Sequence, residues 1–122
     1  MIIGIGTDIV EIRRVEEACK RESFFRLCYT EQEQSLCGNS PAVLAGNFAI
    51  KEAVSKVFGT GFSGISLPEI EVLRDERGKP YVNLYGAAKQ RAEELGITRI
   101  HVSISDTKEM AVGMAIGEGE DA

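Results

Sequence analysis

The chain has 122 residues, 14 basic and 19 acidic, for a formal net charge of −5. With 43% hydrophobic and 27% charged residues it has the make-up of one globular domain over residues 1–122, which excludes a disordered or collagen-like chain. The acidic balance argues against a general nucleic-acid binder or a polybasic membrane anchor.

Met1 to Gly6 is an apolar run closed by Gly4 and Gly6, which predicts a short buried strand. From Ile9 the spacing turns helical, with Ile12, Val15 and Cys19 following on one side. Phe24, Phe25 and Leu27 form an apolar knot that packs this helix down. Thr30 followed by Glu33 is a capping-box pattern for a short helix ending near Gly38. Ser40-Pro41 predicts the start of a long helix running to Phe58, apolar almost all round and therefore central. Gly59, Gly61 and Gly64 make a glycine-rich loop. Glu69–Leu73 and Tyr81–Leu84 read as paired strands around a turn at Asp75–Gly78. Ala88, Arg91, Ala92 and Leu95 mark an amphipathic helix closed by Gly96.

Ile100, Val102 and Ile104 alternate with polar residues as a half-buried strand. After Asp106–Glu109 the last strand runs from Met110 to Ile116, with a short acidic tail over about 117–122. On one face it carries Ala111, Gly113 and Ala115, small enough for another backbone or subunit to approach closely. The order β-α-α-α-β-β-α-β-β predicts an α+β fold, a largely antiparallel sheet on a long central helix. No run is long enough to span a membrane, and the start lacks a signal-peptide pattern. Cys19, Cys28 and Cys37 are odd in number and match no common zinc spacing. Reduced thiols in a soluble cytoplasmic protein, with no nucleic acid or membrane as partner, are expected.

Glu52 and Lys56 lie four apart on one face of the long helix, with Ala45 and Ala49 leaving room above it. At that spacing they are either a surface ion pair or working groups. Asp8 follows the first strand as an N-cap or a metal ligand. Two carboxylates can hold Mg²⁺ together with waters and substrate phosphates. Gly59-Thr60-Gly61 is a helix stop, or a source of amide N–H groups for phosphate. His101 lies on the polar face of its strand as a structural or exposed residue. Arg13 and Lys20, and Arg14 and Arg21, are each seven apart and stack along the first helix, as a solvated face or a docking strip for an acidic partner.

Gly4-Ile5-Gly6-Thr7-Asp8-Ile9-Val10-Glu11-Ile12-Arg13-Arg14 and Phe48-Ala49-Ile50-Lys51-Glu52-Ala53-Val54-Ser55-Lys56 are the most specific blocks. Gly59-Thr60-Gly61, Gly78-Lys79-Pro80 and His101-Val102-Ser103-Ile104-Ser105 follow in order. Together they resemble the holo-acyl-carrier-protein synthases, the small bacterial type of 4′-phosphopantetheinyl transferase. The resemblance implies transfer of 4′-phosphopantetheine from coenzyme A to a serine of apo-acyl carrier protein, a step in fatty-acid biosynthesis. It implies Mg²⁺ on Asp8 and Glu52, with Lys56 also catalytic. Coenzyme A contacts would come from Lys56, Gly59, Thr60, Gly61, Ser105, Asp106 and Thr107. Arg14 would meet the carrier, with Arg21 further along the strip, and the assembly would be a homotrimer with sites between subunits. Two positions depart from the family's habit: Asp106 stands where a histidine is common, and Asn47 where a basic residue is frequent. Both are expected toward the nucleotide, where an aspartate repels phosphate unless it turns outward or binds a cation; a residue such as Lys108 is the alternative contact. Two alternatives stay open, a carrier-docking module without turnover and a different metal-dependent phosphotransferase.

Overall fold

The computed structural model describes residues 1–38 and 40–121. Chain order is β1 (Ile2–Glu11), α1 (Ile12–Cys19), α2 (Glu22–Cys28), α3 (Glu31–Cys37), α4 (Pro41–Val57), a 3₁₀ turn (Leu67–Glu69), β2 (Ile70–Arg74), β3 (Pro80–Leu84), α5 (Gly86–Glu94), β4 (Ile97–Asp106) and β5 (Met110–Gly119). The strands form a three-stranded sheet, β1-β5-β4, and a two-stranded sheet, β2-β3. Every pairing is antiparallel, as the α+β expectation required.

Local chemistry sets the two helix starts that the sequence marks most strongly. Thr30 Oγ1 accepts from Glu33 N–H and Glu33 Oε1 accepts from Thr30 N–H, closing the capping box of α3. Ser40 Oγ accepts from Val43 N–H, with Pro41 at the first turn of α4. Eleven of the 17 residues of α4 are buried, so it is the core helix.

α4 lies directly on the middle of the larger sheet because both surfaces there lack side chains. Ala45, Ala49 and Ala53 on α4 are fully buried; Ala53 meets Gly6 of β1, Ala49 meets Gly113 of β5, and Val57 meets Gly4. A Cβ at Gly4 would stand 2.6 Å from the Val57 carbonyl oxygen, and one at Gly113 would stand 2.7 Å from the Ala49 carbonyl carbon. At Gly6 the clash with the Ala53 carbonyl would be tighter still. The backbone admitted by the small face of β5 is therefore that of α4, and the room expected above Ala45 and Ala49 is filled by the sheet. The opposite face is left outside: Ile5, Ile9 and Met114 are exposed at 65%, 60% and 44%.

Three boundaries differ from expectation. β1 continues to Glu11, because residues 4, 6 and 8 alternate inward along a strand while pairing with β5 runs on to Met110. Ile9 is thus a strand residue, and Asp8 caps no helix. The Phe24–Leu27 knot is a helix of its own, α2, with Phe24 and Phe25 turned inward and Leu27 exposed. β5 extends to Gly119, which puts Glu118 of the expected tail in a strand beside Ile2.

Gly6→Val is expected to lower unfolding free energy by at least about 2 kcal/mol, the scale of an overpacked interior. Gln90→Ala, at an exposed position of α5, should stay within about 0.5 kcal/mol of the parent. Urea denaturation checks both, and a parent-like midpoint for Gly6→Val would show that α4 does not rest on β1.

Candidate active site

After Gly4 and Gly6, the next inward position on β1 is Asp8. Lys56 Nζ stands 3.3 Å from Asp8 Oδ1 and donates to the Thr7 carbonyl at 2.8 Å. Glu52 is one turn back along α4 and half-buried. The stretch Lys51-Glu52-Ala53-Val54-Ser55-Lys56 thereby points in three directions. Ala53 meets the sheet, Glu52 and Lys56 meet Asp8, and Lys51 turns into the core.

The two carboxyls are held close enough to feel each other. Burial, and then the charge of Asp8, push the Glu52 carboxyl above its ordinary range, and Lys56 opposes this. The Glu52 carboxyl accepts no hydrogen bond among the described residues, while Lys56 is shared between Asp8 and a backbone carbonyl. Two hard oxygen donors that repel each other beside open solvent suit a divalent cation that takes one or two protein carboxylates. No group of three His, Cys, Asp or Glu side chains placed to hold a metal occurs among the described residues. The donor set thus fits Mg²⁺, which keeps water and substrate phosphates in its remaining positions, better than a fully protein-ligated ion such as structural zinc.

The other expected contacts divide between the two ends of α4. Gly59, Thr60 and Gly61 follow its C-terminus, a few residues beyond Lys56; Gly59 and Gly61 have φ of 76° and 61°. Ser105, Asp106 and Thr107 are exposed at the β4–β5 turn, where Thr107 and Lys108 line a hollow with Pro41 and Ala42 at the N-terminal end of α4. A helix of 17 residues is about 25 Å long, so within one chain these segments do not close on one nucleotide.

A model of the 4′-phosphopantetheinyl transferase superfamily matches residues 4–113. The chain belongs to that superfamily. It is 58% identical to the holo-[acyl-carrier-protein] synthase of Lachnoclostridium phytofermentans over 118 residues, 97% of each chain. Its fold matches the acyl carrier protein synthase of Plasmodium yoelii with ADP bound, at a TM-score of 0.89 and 35% identity over 99% of this chain and 98% of that one. It also matches the holo-(acyl-carrier-protein) synthase of Bacillus anthracis in complex with CoA (3′,5′-ADP), at 0.81 and 35%, covering 98% and 99%.

Set against this phosphopantetheinyl transferase pattern, Asn47 is a correction. It does not face a nucleotide: it is fully buried, and its Nδ2 donates to Glu33 Oε2 at 3.2 Å and to the Val72 carbonyl at 2.9 Å. A cation does reach this stretch of helix. Arg74 Nη2 stands 3.9 Å from where a Cβ on Gly46 would be. Asp106 is exposed at the β4–β5 turn.

Sequence reasoning missed the buried pair behind the site. Lys51 Nζ donates to Glu33 Oε1 at 2.7 Å and to the carbonyls of Ile70 and Leu67 at 2.6 and 3.0 Å. Both side chains are fully buried; burial pushes the Glu33 carboxyl up and the Lys51 ammonium down. The available signal was Asn47, Lys51 and Ser55 at four-residue spacing, a polar stripe inside an apolar helix. The expected arginine strip is also interrupted. α1 ends at Cys19, Lys20 is its C-cap and pairs with Glu17, and Arg21 is the N-cap of α2. Arg13, Arg14 and Arg21 remain exposed. His101 is exposed, as expected, 2.8 Å from Glu118 Oε1.

Proposed function

We propose that the protein transfers 4′-phosphopantetheine from coenzyme A to a serine of an apo-acyl carrier protein, releasing adenosine 3′,5′-bisphosphate, with Mg²⁺ on Asp8 and Glu52. The observation that carries this is the Asp8–Glu52–Lys56 cluster in a chain whose relatives are holo-acyl-carrier-protein synthases. The bound cation supplies charge neutralisation on the coenzyme A pyrophosphate. Lys56 adds an ammonium beside the same carboxylates, and the loop at Gly59–Gly61 offers amide N–H groups to phosphate. The Glu52 carboxyl, half-buried and without a protein hydrogen-bond partner among the described residues, is the group we assign to accept the proton of the attacking serine.

The carrier docks beside α1. Arg14, 80% exposed and only 3.9 Å from Glu11, edges a groove of about 320 Å³ lined by Val15, Ala18, Phe24 and Phe48. Arg14 at this edge, with Arg21 at the N-cap of α2, gives a protein of net −5 exposed cations for an acidic partner. A homotrimer accounts for the divided contacts: a neighbouring copy brings its Ser105–Thr107 turn to the Gly59–Gly61 loop of this one. The apolar outer sheet face, with Ile5, Ile9 and Met114, supplies the contact. Among the described residues no helix is long and apolar enough to cross a membrane. The three cysteines are free, which supports a cytoplasmic setting.

Incubation of apo-acyl carrier protein with the protein, coenzyme A and Mg²⁺ should add one phosphopantetheine to the carrier by intact-mass spectrometry. EDTA should abolish the gain, and Glu52→Gln should slow it by about a hundredfold or more. An undiminished rate for Glu52→Gln would overturn the assigned chemistry. No gain on a carrier that another transferase modifies would favour a docking module instead. In sedimentation equilibrium the protein should have the mass of three chains and Ile5→Asp that of one; an active wild-type monomer would contradict the shared site.

A further inference from the structure

The loop after α4 stands in the wrong field for a phosphate. It follows a helix C-terminus, where the peptide dipoles sum to a partial negative charge. Gly59 and Gly61 have no atom within 4 Å of a Cβ position, and within this stretch it is Phe62 that packs against the core. Yet the amide N–H groups of Thr60, Gly61 and Phe62 donate to no protein acceptor among the described residues, as a backbone anion nest requires.

Beside the Phe62 packing and the Ser63 N–H to Thr60 carbonyl bond, Arg91 fastens the exposed side of the loop. Its helix, α5, is anchored in the core by buried Ala88 and Ala92. Arg91 Nη1 donates to Thr60 Oγ1, and Nη2 donates to the Ser63 carbonyl at 3.3 Å. Nη2 also stands 4.0 Å from a Cβ position at Gly64. Arg91 makes no ion pair among the described residues, so its charge is not neutralised by a carboxylate of the chain. The bond to Thr60 has a direction. Since Oγ1 accepts from the guanidinium, its own proton is left to donate outward.

We infer that Arg91 is a positioning residue for coenzyme A: it clamps the Thr60–Ser63 turn, aims the Thr60 hydroxyl as a donor and offsets the helix-end field, so that the loop can take a substrate phosphate. This rests on the proposed function, in which Gly59–Gly61 meets coenzyme A. A flat fork is needed to hold two acceptors at once, so lysine replaces the charge of Arg91 but not its geometry.

Steady-state transfer kinetics with coenzyme A as the varied substrate test this. Arg91→Ala should raise KM for coenzyme A about tenfold while kcat and KM for the carrier change by less than about twofold. Arg91→Lys should recover part of the loss. Thr60→Val should raise the same KM, and its effect should not add to that of Arg91→Ala, because both act through one bond. A parent-like KM for Arg91→Ala, or additive effects, would overturn the inference. Gly61→Val, which strains a residue at φ 61°, separates the two levels. If it raises KM and Arg91→Ala does not, the Arg91 role falls and the loop assignment stands. If it leaves KM unchanged, the loop assignment falls, and with it the positioning role, whatever Arg91→Ala does.

Discussion

The arrangement depends on one contact without side chains. α4 lies on β1 and β5 because Gly4, Gly6 and Gly113 leave nothing between helix and sheet, and the backbone at Val57, Ala53 and Ala49 answers them from the other side. Helix and sheet otherwise pack about 10 Å apart, with side chains filling the gap. Closing that gap is what lets a strand residue, Asp8, share a site with two helix residues, Glu52 and Lys56. A methyl group at Gly6 would push apart the groups on which the proposed chemistry relies.

The same helix has to hold itself in place, and it does so with its opposite flank. Lys51 and Asn47 tie α4 to α3 through Glu33 and to β2 through the carbonyls of Ile70 and Val72. A charge buried this way needs its partners, since the loss of one leaves the other unpaired in a medium that solvates it poorly. Adjacent residues thus serve opposite ends: Lys51 is spent on rigidity, Glu52 is left under-satisfied at the surface. That contrast separates a structural charge from a working one more clearly than spacing does.

Much of this was legible in the sequence. Capping residues placed the starts of α3 and α4, alternation placed β4 and β5, and the Asp8, Glu52 and Lys56 positions met as expected. What was not legible follows from period and context. From Ile9 the apolar spacing reads as helical, and only pairing with β5 decides for a strand as far as Glu11. Asn47 was expected toward the nucleotide because a basic residue is frequent there, but the angle it shares with Lys51 on α4 turns it to Glu33. The small face of β5 announced a close approach without saying whose, and the approach is internal. The role of Arg91 needed three dimensions, since 31 residues separate it from Thr60.

The central claim is that the glycine seam brings Asp8 and Glu52 together into one divalent-cation site. Electron paramagnetic resonance of Mn²⁺ titrated into the protein with coenzyme A tests it without turnover. The account predicts bound Mn²⁺ in the parent and its loss in Asp8→Asn and in Glu52→Gln taken singly, with both variants still folded. Undiminished Mn²⁺ binding in either variant would contradict a site shared between β1 and α4.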